Sequence, residues 1–494
     1  MASDDNKTTP ARKTVKMEDR ILGDGIEYHS LPTIVLPDDK PASKIIEILQ
    51  AKQEEQETVS GFTKAFNYRM KDGAVAASVV LKSMFGVSVG METRTMFGKN
   101  PPQLIEVEVG PNETIQVPWG KIRIPQLGDA ELYLGGTHSD DYGQIFVVQV
   151  MAKRLYSKQI KLFFSEIEEQ LRTSSIYRGK AVCGADELKF IGDLEKFDSN
   201  KIVFASGIRQ QLDAAMFSVL RHPHTYRNEG IPLKRAVLLY GPYGTGKTSI
   251  GMMLAKEAQA NGWTFLMARP GKDRVEDVLT TARLYAPSVV WVEDIDTDTG
   301  DADPKAVSRM LDAFDGVTTK AGEIMICMSS NHIERVPSGM LRPGRLDYVL
   351  KIAELDRIGV EQLIRVIVDE RKLADDIDFD AVYHQMIKPQ AAAPFLPAFV
   401  RATADRARGF AISRLGGDGD YVLNTEDLVN AARSLHPQQE LHVNANDPKP
   451  LPTLDRAFRE AVTAGGEKLE MLDYDGDKMG NLRRAPVPAR NGSN

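Results

Sequence analysis

Residues 241–248 read GPYGTGKT. Before them, RAVLLY (235–240) is a β-branched and aliphatic run; after them, SIGMMLAKEAQA (249–260) spaces its apolar residues as a helix does. Strand, glycine loop and helix in this order predict a phosphate-binding loop. Gly241, Gly244 and Gly246 let the backbone turn its N–H groups toward an anion, and the N-terminus of the following helix adds partial positive charge there. Pro242, Tyr243, Thr245 and Ser249 complete the loop. Lys247 is expected against the β- and γ-phosphates of a nucleotide, and the Thr248 hydroxyl on its Mg2+.

A phosphate loop does not hydrolyse anything by itself, so the strands beyond it matter. SVVWVEDID (288–296) is a buried-strand pattern ending in acids, which puts Glu293 and Asp294 at the carboxyl end of a parallel strand, beside the metal. EIMICMSSN (323–331) is a second such strand, ending in Asn331, an amide able to orient an attacking water. MLRPGRLD (340–347) then brings Arg342 and Arg345, guanidiniums suited to charge on a transferring phosphoryl group. Singly, each has a plainer reading: a solvated acidic loop, a turn asparagine, surface arginines. Their order behind the loop is what makes the set specific.

Composition bounds the rest. A chain of 494 residues exceeds one compact core and predicts two or three domains. Its 62 basic and 69 acidic side chains leave a net charge of -7, which supplies no overall field toward nucleic acid or anionic lipid. Cys183 and Cys327, the only cysteines, are too few for a disulfide framework and fit a reducing, cytoplasmic compartment. No apolar run approaches the ~20 residues of a membrane helix. The polar start MASDDNKTTPARKTVK lacks the apolar core of a secretory signal, so a soluble protein without membrane insertion is expected.

Residues 1–43 and 438–494, rich in charge, Pro, Asn and Gly, are predicted to be mostly disordered tails. Within the second, DYDGDKMGN (473–481) alternates acids like a calcium loop, but Lys478 and Arg484 stand where such a loop needs Gly and Glu; a solvated turn is expected. Residues 44–190 predict a small α+β domain: a helix near Ala74 to Phe85, strands in LIEVEV, TIQV, KIRI, ELYL and QIFVVQV, then a helix with Ile160, Phe163, Phe164, Ile167 and Leu171 on one face. It carries no catalytic signature, and partner binding is its expected role. Lys153, Arg154, Lys158 and Lys161 are read as a solvated helix face, with phosphate contact as the alternative.

The run from LRHPHTYRNEGIPLKRAVLLYGPYGTGKT (220–248) through VSRMLDAFDG (307–316) to SSNHIERVPSGMLRPGRLD (329–347) resembles the AAA clade of AAA+ ATPases. The resemblance covers about residues 198–437. It implies an α/β fold with the P-loop NTPase parallel sheet over 191–352 and a helical lid over 353–437. It also implies ATP and Mg2+ as cofactors, and a homo-oligomer, usually a hexameric ring, in which Arg342 and Arg345 act on a neighbour's nucleotide.

Three departures stand out. Tyr243 replaces the family's usual Pro, a swap expected to matter little. The acid pair reads Glu293-Asp294 rather than Asp-Glu, so Glu293 is assigned the metal and Asp294 the water, with a side chain one methylene shorter than Glu. Between Phe265 and Val275 the segment LMARPGKDR is short and lacks the aromatic that grips substrate in AAA unfoldases; Arg269 and Lys272 would form a basic rim instead. A branch of the clade, the mitochondrial translocases of folded Rieske protein, is similar in its Glu-Asp order, its missing pore aromatic and a segment like YRGKAV (177–182). Only its architecture is carried over.

The expectation is therefore a ring ATPase that remodels, assembles or translocates a protein partner. A nucleic-acid motor and a nucleotide-gated scaffold with little turnover are the alternatives.

Overall fold

In the parallel sheet at the centre of the molecule, every strand must be apolar on both faces, because helices cover each side. RAVLLY, SVVWV and IMICMSS meet that demand: β11 (Arg235–Tyr240), β13 (Ser288–Val292) and β14 (Ile324–Ser330) are buried almost throughout. Alternate residues go to opposite faces. Val237, Leu239, Val289 and Trp291 join Ile250 and Leu254 on one side, while Leu238, Val290 and Val292 join Val278, Leu279 and Ala282 on the other. The computed structural model describes residues 41–88, 93–95, 98–192, 194–296, 323–336, 339–342, 345–387, 396–416 and 420–446. The turn at 473–481, the VSRMLDAFDG segment and most of both expected tails lie outside these.

Strand order in this sheet is β10-β9-β12-β13-β14-β11-β15, where β9 is Ala181–Cys183, β10 Lys189–Phe190, β12 Thr264–Met267 and β15 Tyr348–Lys351. All neighbours run parallel except the β9–β10 pair. β14 therefore lies between the loop strand β11 and the acidic strand β13, which brings the ends of all three side by side. Helices α7 (Lys247–Ala260) and α8 (Val275–Leu284) are the crossovers after β11 and β12. The fold is thus a mixed, mainly parallel sheet flanked by helices, with C-terminal helices and an N-terminal α+β region.

That N-terminal region has an antiparallel sheet, β1-β8-β7-β6, formed by β1 (Val59–Phe66), β6 (Gly120–Ile124), β7 (Ala130–Ser139) and β8 (Gly143–Lys153). A separate hairpin joins β4 (Leu104–Gly110) to β5 (Glu113–Pro118). On the four-stranded sheet pack α2 (Met70–Phe85) and α3 (Ser157–Ser174), the latter through Ile160, Phe163, Phe164, Ile167 and Leu171, all buried. The C-terminal helices are Arg357–Ile367, Phe379–Met386, Pro397–Arg414 and Thr425–Asn446, around a core of their own. Asp356 caps the first of them, accepting from Gly359 N at 2.7 Å, and also accepts from Ser206 Oγ at 2.5 Å, tying this bundle to the segment before the loop strand.

Two expected boundaries shift. The three-residue β9 and two-residue β10 precede residue 191 yet hydrogen-bond into the large sheet, so the ATPase-type sheet begins at Ala181; strands this short have no readable period. The last helix continues past the expected boundary at 437 to Asn446, with Pro437 inside it.

The two α/β regions share one apolar core, in which Ala74, Val107 and Val117 lie with Val275, Val278 and Tyr285. Polar groups complete this junction. Arg69, buried, donates to the carbonyls of Tyr142 (3.1 Å) and Gln144 (2.7 Å) and to Thr281 Oγ1, and pairs with Asp186 at 3.2 Å. Asp72 accepts from Ser175 Oγ at 2.6 Å and Ile176 N at 3.0 Å, and burial pushes its carboxyl up to about 6. Arg178 donates to Ala286 O at 2.7 Å.

Candidate nucleotide site

The loop 241–248 sits between β11 and α7, where the sheet's carboxyl edge opens a crevice. Only glycine suits three of its positions, Gly244 among them with φ +86°. Gly246 has φ +92°, and a Cβ on Gly241 would lie 2.4 Å from the Ile352 carbonyl oxygen. Lys247 begins α7 and turns back into the loop, its Nζ donating to Gly241 O at 2.7 Å and Pro242 O at 2.9 Å. Burial draws the ammonium down to about 8, against the pull of Asp294, Asp296 and Glu293. Thr245 is buried and donates to Pro242 O at 2.9 Å; Thr248 is exposed at the mouth and Ser249 half-buried. Gly244 faces the C-terminal helices, next to Ala398 and Leu396.

Beyond β13 the two acids diverge. Glu293 Oε1 accepts from Trp291 Nε1 at 3.4 Å. Asp294, held in the left-handed region at φ 47°, donates its backbone N–H to Ser329 Oγ at 3.1 Å and accepts from Asn331 Nδ2 at 2.6 Å. Asn331 thus meets Asp294 across the β13–β14 edge. Its backbone N–H donates to Asp296 Oδ1 at 3.0 Å; Asp296 is fully buried, and its Oδ2 has no hydrogen-bond partner among the described residues.

Asp296 escaped the sequence reading, although it is the third acid in EDID and the only one of the three fully buried. So did His332, the ring partner of Tyr243. The Tyr243 and His332 rings meet edge to face, centroids 5.9 Å apart.

The arginines stand apart from this cluster, in the turn leading to β15, the edge strand beside β11. Arg342 is exposed; Arg345 is half-buried and donates from Nη1 to Gly339 O at 3.0 Å. The basic rim expected before α8 is also altered: Arg269 is held by both oxygens of Asp273, at 2.6 and 2.7 Å.

These residues fit a nucleotide with magnesium. A turn of backbone N–H groups, a buried lysine and an exposed hydroxyl meet at a helix N-terminus, opposite carboxylates. Among the described residues no three His, Cys, Asp or Glu side chains form a ready-made metal site. Mg2+ in such sites takes most of its ligands from phosphates and water.

A phosphate loop on a parallel sheet, with two acids and an asparagine at the ends of neighbouring strands and a helical bundle after it, is the arrangement of a P-loop nucleotide-binding module. Residues 237–354 match the ATPase family associated with various cellular activities (AAA), and the chain carries a domain of that family. It is 25% identical over 308 residues to protein SAV of Sulfolobus acidocaldarius, covering 55% of this chain and 37% of that protein. Against the cell division cycle protein 48 homolog of Archaeoglobus fulgidus it is 27% identical over 175 residues, 33% of this chain and 24% of that one. Against the ATP-dependent zinc metalloprotease FtsH of Aster yellows witches'-broom phytoplasma the figures are 26% over 240 residues, 45% and 35%. The chain spans about a quarter to just over a third of the length of these relatives. The likeness to Rieske-protein translocases has no support from them. Among the described residues no helix is long and apolar enough to cross a membrane.

Proposed function

We propose that this protein is a Mg2+-dependent ATPase that works as a homo-oligomeric ring and uses ATP turnover to remodel, assemble or move a protein partner. The observation carrying the hydrolytic part is the meeting of Lys247, Asp294 and Asn331 at the ends of three adjacent strands, with Asn331 2.6 Å from Asp294. In this reading Gly241 to Ser249 cradle the phosphates, and Lys247 holds the β- and γ-oxygens. Thr248 and Glu293 hold the metal, which when bound neutralises phosphate charge. Asp294 accepts the proton of the attacking water and Asn331 fixes its orientation. Arg342 and Arg345, remote from their own loop cluster, serve a neighbouring subunit.

The α+β region, fused to the module through a common core, is the natural partner-binding element. The short Arg269–Asp273 turn argues against threading by pore aromatics. A nucleic-acid motor is less favoured, because three of the basic groups considered for phosphate contact are paired with acids: Lys153 with Glu57, Arg154 with Glu55, Arg269 with Asp273. Phosphate release measured against Mg2+, with and without nucleic acid, tests the reading. Turnover that needs Mg2+ and ignores DNA and RNA is expected; stimulation by either polymer favours the motor, and absence of turnover favours a nucleotide-gated scaffold.

A further inference from the structure

The ladder between β13 and β14 ends at Val292 and Met328, yet the two chains stay fastened beyond it. Side chains take over there: the Asp294 N–H donates to Ser329 Oγ at 3.1 Å, the Asn331 amide to Asp294 Oδ1 at 2.6 Å, and the Asn331 N–H to Asp296 Oδ1 at 3.0 Å. The last of these bonds fixes the main chain of Asn331, and with it the point from which the amide leaves the end of β14. Asp296 is fully buried, and its Oδ2 has no hydrogen-bond partner among the described residues. A carboxylate buried with one oxygen idle costs stability rather than supplying it. Fold stability therefore does not account for this acid, whereas the group held by its Oδ1 does.

We propose that Asp296 is a positioning residue for hydrolysis: by accepting from the Asn331 backbone it sets where the asparagine amide stands against Asp294, and so how that pair meets the attacking water. With that bond gone, the end of β14 is free to turn its N–H elsewhere and carry the amide with it. A displacement of about 1 Å at a catalytic group can cost on the order of 10²-fold in rate. The inference rests on the hydrolytic reading above and adds to it an acid that neither holds the metal nor takes the proton, but acts through Asn331.

The test uses the full chain and four variants: Asp296→Ala, Asp296→Asn, Asn331→Ala and the double Asp296→Ala/Asn331→Ala. Steady-state kcat and KM for ATP are measured beside the Kd of a fluorescent ATP analogue and the Tm. Loss of a hydrogen bond to a carboxylate predicts that Asp296→Ala lowers kcat roughly ten- to a hundredfold, while KM and Kd stay near wild type. Asp296→Asn keeps an oxygen for Asn331 N and should recover most of that turnover. Asn331→Ala leaves the backbone N–H and its bond to Asp296 in place, so a merely structural penalty of Asp296→Ala would persist on that background. A positioning effect should vanish there, and the double variant should turn over no more slowly than Asn331→Ala alone. If Asp296→Ala fails to fold, Asp296→Ser carries the same test, its hydroxyl being one bond too short to reach Asn331 N. Wild-type kcat in Asp296→Ala overturns the proposal, as do an additive double variant, a Kd that rises in step with the lost turnover, or an Asp296→Asn enzyme no faster than Asp296→Ala. A wild-type chain that releases no phosphate overturns the hydrolytic reading itself; an active wild type beside an unaffected Asp296→Ala overturns only the role given to Asp296.

Discussion

Asn331 donates its side-chain amide to Asp294 at 2.6 Å, whereas Glu293, one residue earlier, lies 3.4 Å from the Trp291 indole nitrogen. Adjacent residues leaving a strand diverge, and here the divergence separates two jobs. In the proposed mechanism the acid that meets the asparagine serves the water and the other serves the metal.

Asp294→Asn should accordingly keep ATP bound and lower turnover by about two orders of magnitude or more, the usual scale of a lost general base. Glu293→Gln should instead raise the Mg2+ concentration needed for half-maximal activity. Phosphate release across a Mg2+ series separates them. If Glu293→Gln binds Mg-ATP tightly yet does not cleave it while Asp294→Asn turns over normally, the roles are exchanged.

Lys247→Ala removes the one lysine turned into the loop, held at 2.7 Å from Gly241 O. Equilibrium binding of a labelled ATP should weaken by about a hundredfold or more, since a charge-assisted bond to phosphate is among the stronger polar contacts. Circular dichroism should remain unchanged. Unaltered affinity in a folded variant refutes the assignment of this loop.

Arg345→Ala tests the ring. A finger supplied by a neighbour is worth about 10³-fold or more in turnover in other nucleotidases. The variant should bind ATP nearly as wild type and lose most hydrolysis, and wild-type turnover per subunit should rise with protein concentration as light scattering records assembly. A dilute monomer as active as the assembled form would rule out action in trans.

Asp72 predicts a pH effect on stability. Its carboxyl is pushed up to about 6 by burial, above its ordinary value of 3.8, so the folded protein holds that proton more tightly than the unfolded chain. Between those values the native state binds more protons, and stability from this group falls as pH rises, levelling off above about 6. The full effect is at most about 3 kcal/mol. Asp72→Asn keeps an acceptor for Ile176 N without the ionisation. Its Tm should therefore gain on wild type as pH climbs from 4 to 6; a difference that is flat with pH counts against a perturbed Asp72.

Much of this was legible in the sequence because single-strand physics imposes it. RAVLLY, SVVWV and EIMICMSS had to be buried strands, and the glycines of 241–248 had to mark a turn. What escaped reading were cross-strand relations. Nothing in EDID says that Asp296 bonds the backbone of Asn331, 35 positions away. Tyr243 looked like a neutral swap within the loop, because its ring partner His332, just beyond β14, comes beside it only in the folded sheet. β9 and β10 were assigned to the wrong unit for a related reason: short edge strands are made by their neighbours rather than by their own pattern.

The junction bearing Arg69, Asp72 and Arg178 leaves little room for a hinge. A domain that shares its core with the helix after β12 travels with it like the arm of a lever with its pivot. If nucleotide turnover rotates the large sheet, as the proposed function implies, that rotation would be passed on, enlarged by distance, to the outer face of the β1-β8-β7-β6 sheet. A partner held on that face, as proposed, would feel displacement, whereas a flexibly tethered domain would offer it only proximity.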